Sequence, residues 1–167
     1  KSFLFSLIDI FLQRKVISIN FSKDYIILMQ HPVTTEYLNA YNQIISETVG
    51  DLDCKLSIEP GRYLVGEAGM LITRVIYIKQ GDQKKFVIVD GAMNDLIRPT
   101  LYDGFHAIVP VTEKNLSSQK SLCDVVGPIC ESGDYFAKDR MLPEVSQNDL
   151  LAITCSGAYG AVMASNY

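Results

Sequence analysis

The sequence has little charge and few residues of the types that mark several common protein classes. Only 20% of its 167 residues are charged, and 15 Lys and Arg against 19 Asp and Glu give a net charge of −4. This balance disfavours a general nucleic-acid binder. Because 48% of the residues are hydrophobic, the chain is predicted to bury a core rather than to be disordered. It is also shorter than the ~250 residues of a complete α/β barrel.

Cysteine and histidine are scarce, and this limits the metal and redox chemistry that the chain can support. The four cysteines include no Cys-x-x-Cys pair, which argues against a zinc ribbon. Scattered thiols fit a reducing cytoplasm better than a disulfide scaffold. His31 and His106 have no ligand residues nearby in the sequence, so we expect neither to bind a metal ion. These features predict a cytoplasmic protein without a metal site.

The apolar stretch at residues 3–12 is too short to span a membrane. Crossing a bilayer takes ~20 residues, and Asp9 interrupts this stretch. A signal peptide would have a small-residue cleavage site after its apolar run, whereas residues 13–15 are Gln-Arg-Lys. We therefore expect a buried helix or strand that belongs to a longer chain, and no membrane anchor.

The first third of the chain has the pattern of an α/β protein. Residues 34–49 predict a helix, because a threonine at their start can act as N-cap and apolar residues recur at helical spacing. Gly50 can end this helix, and residues 55–58 predict a short strand before the charged loop 59–62. In α/β barrels and wound sheets, ligands bind at the carboxyl ends of such strands.

From residue 70 onward the pattern becomes that of an all-β domain. Residues 70–79 and 86–89 flank a Gln-Gly-Asp-Gln turn, which predicts a β-hairpin. Further short strands are predicted, between segments rich in Pro, Gly, Asn and Ser, at residues 106–112, 122–129 and 150–154. We place the boundary between the two parts near residues 66–69.

Four glycine-containing polar loops are candidates for one shared site. In the first, Gly61 lets the backbone approach a ligand, and Arg62 offers a fork of donors for phosphate or carboxylate. Glu59 could hold a proton there or pair with a ring nitrogen. The alternative for this loop, residues 59–62, is a β-turn with a local salt bridge.

The second candidate loop, residues 90–102, interrupts β structure with polar and small residues, as binding loops often do. Its Arg98 and Tyr102 could bind a carboxylate, although an arginine before a proline is more often a solvated surface residue. His106 follows Tyr102 closely and could line the same pocket.

The third and fourth loops add a thiol and an aromatic ring. In residues 127–134, Cys130 stands beside Glu131, and a thiol held protonated can act as a general acid. The alternative is a buried structural cysteine. In residues 157–161, small neighbours would let Tyr159 lie against a planar ligand, unless they form only a tight turn. No catalytic Ser-His-Asp order or Walker loop competes with these candidates.

Four segments resemble one family of pyridoxal-phosphate enzymes, the diaminopimelate decarboxylases, in the same order and at the same spacing. The segments are EPGRYLVGEAG at 59–69, VDGAMNDLIRPTLYDGFH at 89–106, VVGPICESGDYFAKDR at 125–140 and GAYGAVMASNY at 157–167. The similarity covers roughly residues 32–167. The Cys-Glu-Ser-Gly-Asp string and the loop with Arg98 and Tyr102 favour this branch over the related ornithine and arginine decarboxylases.

The resemblance implies a fold that is α/β plus all-β. Residues 1–66 would be the tail end of an alanine-racemase-like (β/α) barrel that binds pyridoxal phosphate, with residues 1–31 unassigned. Residues 67–167 would be a C-terminal β domain, barrel-like or sandwich-like and truncated at its end.

The resemblance also implies a carboxy-lyase of lysine biosynthesis. Such an enzyme decarboxylates meso-2,6-diaminopimelate to L-lysine and CO2 with pyridoxal 5'-phosphate as cofactor. Its substrate is a small diamino dicarboxylate, and neither nucleic acid nor a membrane is an expected partner. In this family the loop around Cys130 reaches the partner subunit's active site, so a homodimer with shared sites is expected.

For the cofactor, the family's residue roles fall on five positions of this sequence. Glu59 would pair with the pyridine nitrogen and keep the ring an electron sink. Pro60, Gly61 and Arg62 match the motif at the cofactor phosphate, and Arg62 would also reach the substrate. Tyr159 would contact both cofactor and substrate.

For the substrate, the resemblance assigns four residues of the second and third loops. Arg98, Tyr102 and Glu131 match positions that hold the carboxylates and the distal amino group. Cys130 matches the proton donor that acts after CO2 leaves. Two arginines, Arg62 and Arg98, suit a dicarboxylate because each can grip one carboxylate bidentately.

Two parts of the family's cofactor site have no counterpart here. None of the four lysines before Glu59 lies in the motif of the Schiff-base lysine. The glycine run that cradles the phosphate should precede the helix near Thr34, but residues 20–28 contain no glycine. We therefore expect a fragment that is not a competent decarboxylase alone. The alternative is a non-catalytic dimerising or regulatory module, or a degraded remnant of the enzyme.

Overall fold

The chain divides into two compact units, Lys1–Leu64 and Val65–Tyr167. The computed structural model describes residues 17–21, 25–30, 47, 55–59, 61–113 and 118–167. Apart from the helical Glu47, the predicted helix at 34–49 lies outside the described residues, as does the apolar stretch at 3–12. In the described part of the chain, no helix is long and apolar enough to cross a membrane.

The described residues of the first unit form a three-stranded sheet. Its strands are β1 (Ile17–Phe21), β2 (Tyr25–Gln30) and β3 (Lys55–Glu59). β1 and β2 are antiparallel, whereas β2 and β3 are parallel, which requires a crossover connection of the kind found in α/β folds. The strand predicted over residues 55–58 is confirmed, and Glu59 stands at its carboxyl end.

The second unit contains a mixed β-sheet and a short helix. Its elements are β4 (Leu71–Gln80), β5 (Lys85–Val89), α1 (Arg98–Tyr102), β6 (Ile108–Pro110), β7 (Lys120–Val126), β8 (Tyr135–Pro143) and β9 (Leu150–Ile153). The strand order is β6-β9-β4-β5-β7-β8, and only the β5–β7 pair is parallel. The edge strands β6 and β8 approach each other, so the sheet is a nearly closed barrel. The predicted C-terminal β domain is confirmed.

The barrel interior is filled by side chains from alternating strand positions. Five of them are fully buried, with 0% exposure: Val75, Val89, Val125, Leu151 and Ile153. Because successive side chains of a strand point to opposite faces, this alternation places one face of each strand in the core. Burying each such side chain contributes about 1.5–3 kcal/mol, so the core is the main source of stability for the second unit.

The predicted hairpin at 70–89 and the strand at 150–154 are confirmed, but other strand bounds differ. The strand predicted at 122–129 ends at Val126, because Gly127 begins the third candidate loop. β8 was not predicted. It carries consecutive charged residues at positions 138–140, and Asp139 has a left-handed φ of 50°, so its sequence shows no clean alternation.

Lys84 links the β4–β5 turn to strands β7 and β8. Its Nζ lies 2.9 Å from Asp124 Oδ1 and 2.7 Å from Asp139 Oδ1. The hydrogen bonds to Asp139 and Asp124 raise the pKa of Lys84 above its ordinary value of 10.5. A raised folded-state pKa gives a stabilisation that is complete below the unfolded value and is lost as pH rises through the folded value.

We expect Lys84→Met to lower the melting temperature by a few degrees near neutral pH, because Asp124 and Asp139 lose their shared cation. The difference from the unmodified chain should shrink when the pH is raised above 10.5, the ordinary pKa of lysine. Lys85→Met is the matched control, since Lys85 lies 3.5 Å from an exposed carboxylate on Glu144. Equal melting temperatures for the two variants would contradict this account.

Candidate active site

Helix α1 presents two of the candidate side chains in different environments. It starts at Arg98, has Pro99 in its first turn and ends at Tyr102, and the next residue, Asp103, caps it with a left-handed φ of 53°. Arg98 is only 4% exposed, whereas Tyr102 is 59% exposed. The alternative that Arg98 is a solvated surface residue is therefore wrong. Its guanidinium is a buried cation, which gains more from a charged partner than an exposed one does.

A buried histidine holds the guanidinium of Arg98. His106 is 1% exposed, and its Nε2 lies 3.2 Å from Arg98 Nη1. Its Nδ1 lies 2.8 Å from the carbonyl oxygen of Thr154, which follows β9. The helix that carries Arg98 is thus connected through one imidazole ring to the end of a barrel strand.

The third candidate loop is organised around the buried carboxylate of Asp134, which is 4% exposed. Its Oδ1 accepts the backbone N–H of Met93 and its Oδ2 accepts that of Ile129, both at 2.7 Å. Residue 127 must be glycine, because a Cβ atom on Gly127 would overlap this carboxylate. Asp134 therefore joins the second loop to the third.

The third loop also packs against α1. Thr100 Oγ1 donates a hydrogen bond to the carbonyl oxygen of Gly133, and Tyr135 Oη donates to that of Pro99 at 3.3 Å. Through these contacts the loop that contains Cys130 lies against the helix that carries Arg98 and Tyr102. The structure thus brings the second and third candidate loops together.

Cys130 and Glu131 are both exposed at the tip of the third loop. The alternative that Cys130 is a buried structural cysteine is wrong. Glu131 Oε1 accepts the backbone N–H of Gly133, and its Oε2 accepts the hydroxyl of Tyr167, each at 3.3 Å. An accessible thiol stands next to a carboxylate that neighbouring groups hold in place.

The fourth loop is a tight turn whose geometry depends on glycine. A Cβ atom on Gly157 would overlap the carbonyl oxygen of Val65, so only glycine allows this close approach of two backbone segments. Tyr159 has a left-handed φ of 57° and is 41% exposed. A Cβ atom on Gly160 would lie 3.6 Å from Leu96 Cδ1, which places the turn beside the start of α1.

The segment after the fourth loop is hydrogen-bonded to the second loop. Ser165 N donates to the carbonyl oxygen of Asn94, and Asn94 Nδ2 donates to the carbonyl oxygen of Ser165, both at 3.0 Å. Three of the four candidate loops therefore meet in the second unit, around the first turn of α1.

The beginning of the second loop is anchored by Asp90. Its Oδ1 accepts the backbone N–H of Arg74 and the hydroxyl of Thr73, both at 2.7 Å. These two hydrogen bonds hold the pKa of the Asp90 carboxyl below its usual range, the first of them contributing most. Gly91 N in turn donates to Thr73 Oγ1 at 2.9 Å, so the loop leaves β5 in a fixed direction.

The first candidate loop belongs to the first unit. Glu59 is the last residue of β3, and Gly61 opens a 3-10 helix, Gly61–Tyr63, with a left-handed φ of 54°. Arg62 is 6% exposed. Pro60 and the side chain of Glu59 lie outside the described residues.

Two residues of this site were given no role by the sequence analysis. Asp134 accepts a hydrogen bond from the backbone N–H of Met93, which lies 41 positions earlier. The carbonyl oxygen of Thr154 accepts one from His106, which lies 48 positions earlier. Contacts between residues so far apart in the sequence cannot be predicted from the spacing of residues along the chain. The available hint was the position of Asp134 at the end of a glycine-rich loop, where aspartate often caps backbone N–H groups.

The described residues contain no group of three or more His, Cys, Asp and Glu side chains that could hold a metal ion. Cys123 is buried in the barrel, and burial raises the pKa of its thiol, the nearby Asp124 carboxylate adding to the effect. That thiol is thus kept protonated, and its burial removes it from contact with any ligand, whereas Cys130 is exposed.

The chain is similar to known decarboxylases over most of its length. Residues 6–157 match the family described as pyridoxal-dependent decarboxylase, C-terminal sheet domain. The chain is 52% identical to diaminopimelate decarboxylase of Neisseria meningitidis serogroup A over 130 residues, which are 78% of this chain and 31% of that protein. It is 51% identical to the Campylobacter jejuni enzyme of the same name over 128 residues, or 76% of this chain and 31% of that one.

Solved structures agree with these similarities. Diaminopimelate decarboxylase from Helicobacter pylori, complexed with L-lysine, matches with a TM-score of 0.68 and 44% identity over 86% of this chain and 36% of that chain. The M. jannaschii enzyme, in co-complex with L-lysine, matches with a TM-score of 0.63 and 35% identity. The match covers 88% of this chain and 32% of that chain. The chain spans less than half of each relative. It belongs to the pyridoxal-dependent decarboxylase family and carries that family's C-terminal sheet domain.

Proposed function

We propose that the chain is part of a diaminopimelate decarboxylase, which converts meso-2,6-diaminopimelate to L-lysine and CO2. The observation that carries the proposal is the meeting of three loops around α1, with a buried Arg98, an exposed Cys130 and a half-exposed Tyr159. The proposal is supported by relatives of that name at 52% and 51% identity. Similar structures that hold L-lysine, the product of this reaction, support it further.

The residues after β3 fit the chemistry of pyridoxal phosphate. A carboxylate on Glu59 suits a protonated ring nitrogen, and the buried cation of Arg62 suits a phosphate. Gly61, with its left-handed φ of 54°, leaves the backbone open to close approach. When bound, the cofactor supplies the electron sink that makes release of CO2 possible. In the proposal Glu59 keeps the ring nitrogen protonated, Gly61 and Arg62 hold the phosphate, and Tyr159 contacts the ring.

The second and third loops would select and process the substrate. Arg98 pairs with one substrate carboxylate, Tyr102 donates a hydrogen bond to it, and Glu131 accepts the distal ammonium group. The thiol of Cys130 delivers a proton to the carbon from which CO2 departs. A diamine without the second carboxylate would lose this contact with the buried Arg98.

A homodimer and a cytoplasmic location belong to the same proposal. Cys130 and Glu131 are exposed at a loop tip, where a second copy of the chain can contact them. Among the described cysteines, Cys123 and Cys130 are free thiols, as a reducing compartment would keep them.

The proposal is tested with the holoenzyme that contains this chain, loaded with pyridoxal phosphate. We expect CO2 release from meso-diaminopimelate, and a kcat/KM for L-ornithine lower by about tenfold to a hundredfold. That factor corresponds to the ~1.5–3 kcal/mol of a hydrogen bond to a charged group, lost when the second carboxylate is missing. Release of CO2 from neither amino acid, or at equal rates from both, would refute the proposal.

A further inference from the structure

We infer that His106 is a positioning residue: a neutral imidazole that orients the guanidinium of Arg98 for the substrate's carboxylate. The part of this inference that concerns the substrate rests on the proposed function. The orientation of Arg98 itself rests on the geometry of the buried pair.

The hydrogen positions on His106 follow from the partners of its two ring nitrogens. The carbonyl oxygen of Thr154, 2.8 Å from Nδ1, can only accept, so Nδ1 carries a hydrogen. The guanidinium of Arg98, 3.2 Å from Nε2, can only donate, so Nε2 presents its lone pair. The ring is therefore neutral and has its single N–H hydrogen on Nδ1.

A neutral acceptor has a specific advantage at this position. It fixes one nitrogen of the Arg98 guanidinium group without adding a negative charge, which would compete with the substrate's carboxylate for that group. A protonated imidazole would lose the lone pair on Nε2 and place a second cation beside Arg98. His106 can therefore hold the guanidinium group of Arg98 in place without neutralising its positive charge.

The backbone around His106 is held from two sides, which keeps the ring in register with Arg98. After α1, Gly104 N donates to the carbonyl oxygen of Arg98 at 3.1 Å. From β8, Arg140 Nη1 donates to the carbonyl oxygen of His106 at 3.1 Å. Both side chains of the pair are buried, so neither water nor rotation easily replaces their hydrogen bond.

Two matched variants separate the positioning role from a structural one. The amide group of glutamine reaches the place of the imidazole Nε2, whereas that of asparagine reaches the place of Nδ1. His106→Gln therefore keeps an acceptor for Arg98 and loses the donor to Thr154. His106→Asn keeps that donor and loses the acceptor. Circular dichroism checks that each variant folds.

In the holoenzyme, we expect His106→Asn to raise KM for meso-diaminopimelate about tenfold while kcat changes much less, since a ground-state contact to the substrate is weakened. His106→Gln should stay within about threefold of the unmodified KM. If His106 served only to tether α1 to β9, the order would be reversed. His106→Gln would then raise KM more than His106→Asn, because it loses the hydrogen bond to Thr154. That reverse order, or equal effects of the two variants, would overturn the inference.

A second measurement does not depend on activity. In 15N NMR spectra of the chain near neutral pH, we expect His106 to be neutral with its hydrogen on Nδ1. The Arg98 guanidinium nitrogens should give separate signals in the unmodified chain and in His106→Gln, and averaged signals in His106→Asn. A hydrogen on Nε2, a protonated ring or averaged signals in the unmodified chain would overturn the inference. If the holoenzyme releases no CO2, the proposed function fails and these spectra alone decide whether His106 orients Arg98.

Discussion

Replacing Asp134 with alanine is expected to lower the free energy of unfolding of the second unit by about 2–4 kcal/mol. The carboxylate is 4% exposed and accepts the backbone N–H groups of Met93 and Ile129 at 2.7 Å each. Alanine would leave both donors without an acceptor, the buried one at Met93 and the half-buried one at Ile129. The loss costs about 1–3 kcal/mol at the buried donor and less at the half-buried one. Urea denaturation measures the loss as a fall in the transition midpoint at an unchanged slope.

Two further variants make the Asp134 prediction specific. Asp134→Asn keeps the shape but turns an NH2 group toward one of the two backbone donors, so it should lose about half as much stability as alanine. Asp82→Ala removes an exposed carboxylate from the β4–β5 turn and should change the stability by less than about 0.5 kcal/mol. If Asp134→Ala were as stable as Asp82→Ala, the carboxylate would not organise the loop.

The effect of Asp134→Ala should extend to catalysis under the proposed function. Because the carboxylate joins the second loop to the third, its loss would free the segment that presents Cys130 against α1. We therefore expect a lower kcat even under conditions where the variant is fully folded.

The local pattern of the sequence was sufficient to predict most strands of the second unit. Alternation of buried and exposed residues and a polar turn define the β4–β5 hairpin within twenty consecutive residues, so no distant contact is needed to predict it. β8 lacks this signal because its central charges interrupt the alternation. The parallel β5–β7 pairing was also beyond prediction, since it joins strands that are far apart in sequence.

The candidate site could be predicted as a set of residues but not as an arrangement. The resemblance to a known family assigned site roles to Arg98 and Cys130, and these roles stay predictions. The proline after Arg98 favoured a solvated surface residue, which is wrong. The burial of Arg98 depends on β8 and the third loop, which are distant in sequence. The contact from His106 to Thr154 also spans 48 positions, so the role of His106 depends on the tertiary fold.

Replacing Cys130 with alanine in the holoenzyme is expected to lower kcat for meso-diaminopimelate by about 10²–10⁴-fold, the usual contribution of a positioned proton donor. KM should change little, because under the proposed function the thiol would contact the reacting carbon rather than the carboxylates. The fold should be unaffected, since Cys130 is exposed at a loop tip.

Ser132→Ala is the matched control for the Cys130 variant, because Ser132 is exposed on the same loop and holds no role in the proposal. Its kcat should equal that of the unmodified enzyme. Cys130→Ser keeps a group of similar size but replaces the thiol with a far weaker acid, so its kcat should lie close to that of alanine. If serine restored the rate fully, Cys130 would serve packing rather than proton transfer, and the accessible thiol beside Glu131 would need another explanation.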